Sequence, residues 1–95
     1  MSAHFADDSI PQIAPLFRLQ WEEAQQAYVI LYPEGMVKLN KTAGEILTRC
    51  DGKTRLSAII DDLEGQFSGA KIGEEIRHFM ETAHEHGWVR ITGAA

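Results

Sequence analysis

Residues 27–40 read AYVILYPEGMVKLN, and this stretch decides the fold. Its first part, residues 27–32, is apolar on both faces and rich in aromatic and β-branched side chains, which is typical of a central strand. The segment YPEG (32–35) follows, where proline presets φ for a tight turn and glycine tolerates a positive φ. Residues 36–39 then place alternate side chains on opposite faces. The stretch therefore predicts a hairpin whose second strand is short.

Upstream of this hairpin, residues 17–22 alternate between apolar and polar side chains and predict another half-buried strand. Together the segments predict a three-stranded antiparallel sheet. Residues 1–15 contain two prolines and show no sustained period, so we expect a flexible N-terminal arm. Ile10, Ile13 and Leu16 are apolar positions through which this arm could still dock on the domain or on a neighbouring molecule.

Downstream, the period changes to that of amphipathic helices. Asn40 is a suitable N-cap for a helix from residue 41 to about residue 50, and Thr54 for a helix that reaches Phe67. A third helix is predicted over residues 71–86, and residues 88–91 form a short strand or a docked tail. The predicted fold class is therefore α+β, with a folded domain over residues 16–91 and a frayed C-terminus over 92–95.

Composition and charge exclude several classes of protein. The 95 residues carry a net charge of −5, which disfavours nucleic acid and anionic membranes as partners. No run of about 20 apolar residues predicts a membrane span, and Met1 to Asp8 lack the pattern of a secretory signal. With Cys50 as the one cysteine, no intrachain disulfide can form, so we expect a reducing, cytoplasmic location.

The side chains that could carry catalysis do not converge in the sequence. Cys50 falls on the apolar face of its helix, where a small core residue is expected, and no base with an orienting partner accompanies it. His84 and His86 are about 200° apart on a helix and cannot jointly bind a metal there. We therefore predict no catalytic residues, no bound cofactor and no metal site.

The remaining functional feature is an open sheet edge. The strand over residues 36–39 carries a single charge, on Lys38, and such an edge can accept an extended peptide as an added strand. The pattern alone leaves an alternative open, in which the N-terminal arm or a second copy of the chain covers this edge.

Two motifs carry a family resemblance. One is LYPEGM (31–36), and the other is LNKTAGEIL (39–47), which continues to Cys50-Asp51-Gly52. With PLFRLQWE (15–22) and Gly87-Trp88-Val89, they strongly resemble the PqqD family of pyrroloquinoline quinone (PQQ) biosynthesis. The resemblance covers essentially residues 11–91.

The resemblance implies a fold and a function. The family's fold resembles a winged helix-turn-helix, with three strands followed by three helices. Its members act as non-catalytic peptide chaperones that bind the ribosomally made precursor PqqA and present it to the radical SAM enzyme PqqE. In related domains the peptide adds to the third strand and lies against the third helix. Carried onto this sequence, the peptide-binding residues are Met36, Val37, Lys38, Leu39, Ile76, Arg77, Met80 and His84.

Two further alternatives accompany this interpretation. The element order also permits a winged-helix DNA-binding protein, although the third predicted helix holds four glutamates against two Lys or Arg residues. A small enzyme lacks a convergent set of acid, base and nucleophile. In solution, the apolar hairpin edge and the arm favour either a monomer or a weak, arm-swapped homodimer.

Overall fold

The central strand of the sheet is the one that the sequence predicts. The computed structural model describes residues 5–67, 69 and 71–93. Its elements are β1 (Ile10–Ile13), β2 (Arg18–Glu22), a 3-10 turn (Glu23–Gln25), β3 (Ala27–Tyr32), β4 (Gly35–Lys38), α1 (Lys41–Thr48), α2 (Leu56–Gln66), α3 (Gly73–Glu85) and β5 (Val89–Gly93). The strands β2, β3 and β4 form an antiparallel sheet in that order. The predicted α+β class, a three-stranded sheet followed by three helices, is confirmed.

Two hairpins set the register of this sheet. Tyr32 pairs with Gly35 across the Pro33-Glu34 turn, and Ile30 pairs with Val37. On the other side Trp21 pairs with Tyr28, and their rings meet edge to face with centroids 5.1 Å apart. If one strand slipped by one residue against its neighbour, its core-facing side chains would turn to the opposite face of the sheet. This register is therefore strongly specified.

The first helices, α1 and α2, satisfy the free N–H groups of their first turns in different ways. In α1 the Asn40 side chain accepts from the Ala43 N–H at 2.8 Å, as the sequence predicts. In α2 the prediction of a Thr54 cap is wrong: Arg55 holds the cap position without a side-chain bond. The N–H groups of Leu56 and Ser57 instead donate to backbone carbonyls of the N-terminal segment.

The N-terminal segment is more ordered than the sequence suggests. β1 pairs with β5 in an antiparallel two-stranded sheet, and Phe5 and Ser9 are buried. The expected flexible arm over residues 1–15 and frayed end over 92–95 therefore differ from the structure within residues 5–15 and 92–93. The cause is long-range pairing, because the β1 edge also bonds to residues 50–52. Residues 1–4, 94 and 95 lie outside the described residues.

The core lies between the three-stranded sheet and the helices. Its fully buried members include Ile30 from β3 and, from the three helices, Ile46, Leu47, Leu56, Ile59, Leu63, Ile76, Met80 and Ala83. Close packing joins α1 to the sheet at Gly44, where a Cβ atom would lie 2.7 Å from the Tyr28 ring. This contact fixes the position of α1 beside the end of β4.

Candidate functional site

The outer edge of β4 has free backbone groups at known positions. The Leu39 N–H donates to the Tyr28 carbonyl at 3.0 Å, so Leu39 faces β3. In an antiparallel ladder the direction of the backbone N–H and C=O groups alternates along the strand. The register therefore turns these groups of Val37 toward β3, and those of Met36 and Lys38 away from it. Within the described residues, no other element forms backbone bonds with Met36 or Lys38. The open edge therefore offers one N–H and one C=O at each of these two residues.

A groove between α1 and α3 begins where β4 ends. This α1–α3 groove has a volume of about 390 Å³. The residues that line it are Asn40, Thr42, Ala43, Ile46, Phe67, Ile72, Glu75, Ile76 and Phe79. Its floor is apolar, since Ile46 and Ile76 are buried, and its walls include the half-buried rings of Phe67 and Phe79. Its lining begins at Asn40, two residues after β4 ends at Lys38.

The predicted residues of β4 occupy the two faces of the strand. Met36 and Lys38 are exposed on the outer face, and Met36 retains 47% of its accessible surface. Val37 is half-buried on the core side, and Leu39 is buried with 5% exposure. Leu39 therefore serves the core, whereas Met36 and Lys38 carry the open backbone groups.

The predicted residues of α3 do not all face the groove. Ile76 lines it, but Met80 is fully buried in the core. Arg77 forms an ion pair with Asp7, and the ring of His84 lies edge-on to Phe5 with centroids 5.7 Å apart. Two residues along a helix correspond to a rotation of about 200° about its axis, so Arg77 points away from both Glu75 and Phe79. Arg77 and His84 hold the N-terminal segment instead of forming a wall of the groove.

Several groove residues are absent from the predicted set. Ile72, Glu75 and Phe79 form the groove face of α3, and Thr42 contributes from the first turn of α1. The spacing of Ile72, Glu75 and Phe79 at three and four residues is a signal for one helix face. The sequence does not, however, show which margin of the apolar stripe meets the end of β4.

Charge and hydrogen bonding hold the groove in place. The Glu64 carboxylate accepts from the N–H groups of Ile72 and Gly73, at 3.0 and 3.2 Å, and so caps the start of α3 from α2. Arg49, at the end of α1, pairs with Glu45 of the same helix and reaches α2 through Asp62 and Gln66. These contacts keep α1, α2 and α3 in fixed relative positions around the groove.

Comparison with known proteins decides the family. The family model described as "Coenzyme PQQ synthesis protein D (PqqD)" matches residues 27–89. The chain belongs to the PqqD family. A "PqqA binding protein" from Methylococcus capsulatus is 49% identical over 83 residues, covering 87% of this chain and 89% of its own length. A protein of the same name from Pseudomonas aeruginosa is 46% identical, covering 88% and 92%.

Solved structures share the fold of this PqqD-family chain. The NMR structure of the PqqD truncation of Methylobacterium extorquens PqqCD, described as a stand-alone recognition element for ribosomally synthesized, modified peptides, has a TM-score of 0.77. It is 21% identical and covers 93% of this chain and 96% of that chain. The heterocyclase TruD has a TM-score of 0.67 at 22% identity, covering 87% of this chain but 11% of its own. Both likenesses support the fold.

Three further features of the described part of this PqqD-family chain are the Cys50 thiol, its potential metal-binding side chains and its helix lengths. Burial raises the pKa of the Cys50 thiol to about 12, with a smaller contribution from Asp51, so the reactive thiolate is strongly disfavoured at neutral pH. Within residues 5–67, 69 and 71–93, no cluster of His, Cys, Asp and Glu side chains is arranged to bind a metal. No helix in the same ranges is long and apolar enough to cross a membrane.

Proposed function

We propose that this chain is a non-catalytic peptide chaperone of PQQ biosynthesis. It binds the precursor peptide PqqA by strand addition to β4 and presents it to the radical SAM enzyme PqqE. The observation that carries the proposal is the free backbone edge of Met36 and Lys38, two residues along the chain from Asn40, where the lining of the α1–α3 groove begins. Family membership and the names of the relatives support PqqA as the peptide.

The β4 edge and the α1–α3 groove contribute differently to peptide recognition. Main-chain bonds to the β4 edge tolerate many sequences, because every residue except proline offers the same donor and acceptor. Each net hydrogen bond contributes about 0.5–1.5 kcal/mol, so a four-residue strand gives limited affinity. The alternate side chains of the guest enter the apolar groove, and their burial supplies both specificity and the remaining affinity.

A pair of proline variants tests strand addition. Lys38→Pro removes an N–H that points away from β3, at an edge position where proline is tolerated, so the fold survives and peptide binding weakens. Val37→Pro removes an N–H that faces β3 and therefore lowers the free energy of unfolding. Circular dichroism melts and titration with labelled PqqA measure the two effects. A Lys38→Pro variant that is folded and binds PqqA with unchanged affinity contradicts strand addition.

The groove is tested separately by a truncation. Phe79→Ala removes an aromatic wall of the groove at a half-buried position, and we expect weaker PqqA binding with modest loss of stability. In NMR titrations, PqqA should shift the amide signals of Met36 to Leu39 and those of Ile72 to Phe79. Shifts confined to the Arg77–His84 side, where the N-terminal segment packs, would place the peptide elsewhere.

Presentation to PqqE needs its own assay. We expect PqqE to modify PqqA efficiently with the wild-type chain and poorly with Lys38→Pro or Phe79→Ala, at equal PqqE concentration. Modification that is equally fast without this chain contradicts the presenting role while leaving peptide binding intact. The chain itself supplies no catalytic group in this scheme, and a cytoplasmic location fits a partner peptide made on the ribosome.

The winged-helix DNA-binding alternative is not favoured. Helix α3, the counterpart of a recognition helix, carries Glu74, Glu75, Glu81 and Glu85, and its Arg77 is held by Asp7. This charge distribution repels a phosphate backbone. A gel shift with mixed-sequence DNA at low salt provides the direct check, and we expect no retarded band.

A further inference from the structure

The α1–α3 groove has a charge at one defined position. Among the described residues that line it, Glu75 is the only one with an ionisable side chain. Glu75 lies one helical turn from both Ile72 and Phe79, so its carboxylate sits between two apolar contacts along the same face of α3. No cation faces it from the other lining residues, whose polar members are Asn40 and Thr42.

We propose that Glu75 selects a cationic side chain, Lys or Arg, in the guest peptide, and that this residue lies two positions from a large apolar residue that packs on Phe79. The inference rests on the proposed function and adds a rule for the guest sequence.

The spacing follows from the dimensions of helix and strand. Glu75 and Phe79 are four residues apart, which corresponds to a rise of about 6 Å along α3. Side chains on one face of an extended guest repeat every two residues, or about 6.6 Å. A guest strand lying along α3 therefore matches Glu75 with one side chain and Phe79 with the next on the same face.

The chemistry favours Lys or Arg over a short polar residue. Both side chains have apolar stems that can cover the groove floor while the charged head reaches the rim. Glu75 is exposed, so the ion pair forms at the solvent boundary without the cost of burying either charge. An acidic guest residue at the same position would meet a like charge, and a chain of net charge −5 adds to that repulsion.

Neighbouring glutamates provide a matched test. Glu74 is also exposed in the first turn of α3, but it does not line the groove. Both residues interact equally with the helix dipole, so Glu74→Gln and Glu74→Lys control for net charge and helix stability. The probe is fluorescently labelled PqqA from the same organism, titrated by anisotropy at matched ionic strength.

Glu75→Gln should raise the dissociation constant for PqqA about three- to fivefold, the upper part of the range of an exposed ion pair, and Glu75→Lys should raise it further. The Glu74 variants should stay within about 1.5-fold of wild type. Replacing each Lys or Arg of PqqA by Gln in turn should identify one position whose effect disappears in Glu75→Gln. Glutamate at that position should restore binding to Glu75→Lys.

Two results are decisive against the inference. If PqqA binds wild type and the Glu75 variants match the Glu74 variants, the charge rule is wrong while the peptide-binding function stands. If PqqA does not bind wild type at all, the proposed function fails and the charge rule fails with it.

Discussion

Gly44 is the position where one added carbon should disturb the packing of α1 on the sheet. A Cβ atom built there lies 2.7 Å from Tyr28 Cδ2, 3.1 Å from Tyr28 Cβ and 3.2 Å from Tyr28 Cγ. The last two atoms lie at the root of the side chain, so a rotation about χ2 cannot relieve the overlap. The Tyr28 ring also contacts Trp21 edge to face.

The expected magnitude combines two opposing effects. Overpacking of a buried site costs about 1–3 kcal/mol, and the contacts to Tyr28 Cβ and Cγ, which a ring rotation leaves in place, favour the upper part of that range. Replacing glycine by alanine in a helix interior stabilises by up to about 1 kcal/mol. Gly44→Ala should therefore lower the free energy of unfolding by about 1–2 kcal/mol. For a domain of this size each kcal/mol shifts the Tm by about 4–8 °C.

A second glycine gives the control for this measurement. Gly65 lies in the last turn of α2, is exposed, and a Cβ built there has no neighbour within 4 Å. Gly65→Ala should therefore stabilise the chain by several tenths of a kcal/mol, up to about 1. Urea denaturation of both variants provides the comparison. A Gly44→Ala variant as stable as Gly65→Ala would refute the close packing of α1 on Tyr28.

Three further predictions concern the N-terminal segment, the α1 cap and the thiol. Phe5→Ala should lower the free energy of unfolding by about 2–3 kcal/mol in urea titrations, whereas a loose arm would give no change. Asn40→Ala should cost about 1 kcal/mol by the same measurement and Asn40→Asp much less, since aspartate retains the acceptor for the Ala43 N–H. Because burial raises the pKa of Cys50 to about 12, the folded state holds the thiol proton more tightly than the unfolded state. The resulting contribution to stability is present below the unfolded pKa and is lost as the pH rises through about 12. A thiol reagent at pH 8 should accordingly label Cys50 only upon unfolding; rapid labelling of the native chain would contradict its burial.

The local elements were predictable because their signals are local. The alternation of residues 17–22, the YPEG turn and the Asn40 cap each act within a few residues, and each appears in the structure near its predicted place. β1 had no such signal. It is short and contains Pro11, which normally argues against a strand, and its partner β5 lies about 80 residues away. The register shifts between Ile10 and Pro11, the kind of irregularity at which proline is found in strands.

For the candidate site, the sequence indicates which elements take part but not which helix face lines the groove. The open edge of β4 and the involvement of α3 follow from strand order and apolar periodicity. The apolar stripe of an amphipathic helix has two margins, however, and the apolar periodicity does not distinguish between them. Arg77 and His84 lie on the margin that meets Asp7 and Phe5, whereas Glu75 and Phe79 lie on the margin that meets the groove. Only the position of the N-terminal segment distinguishes the two margins.

The pairing of β1 with β5 also affects how this domain can be joined to other chains. Ile10 lies opposite Gly93, so the first and last strands of the described fold end side by side, on a sheet separate from β4. A linker between Gly93 and Phe5, long enough to keep the buried N-terminal segment in place, should yield a circular permutant with new ends in the exposed Pro33-Glu34 turn. The same pairing means that an enzyme fused after β5 would leave the domain beside β1, on a sheet separate from the open β4 edge.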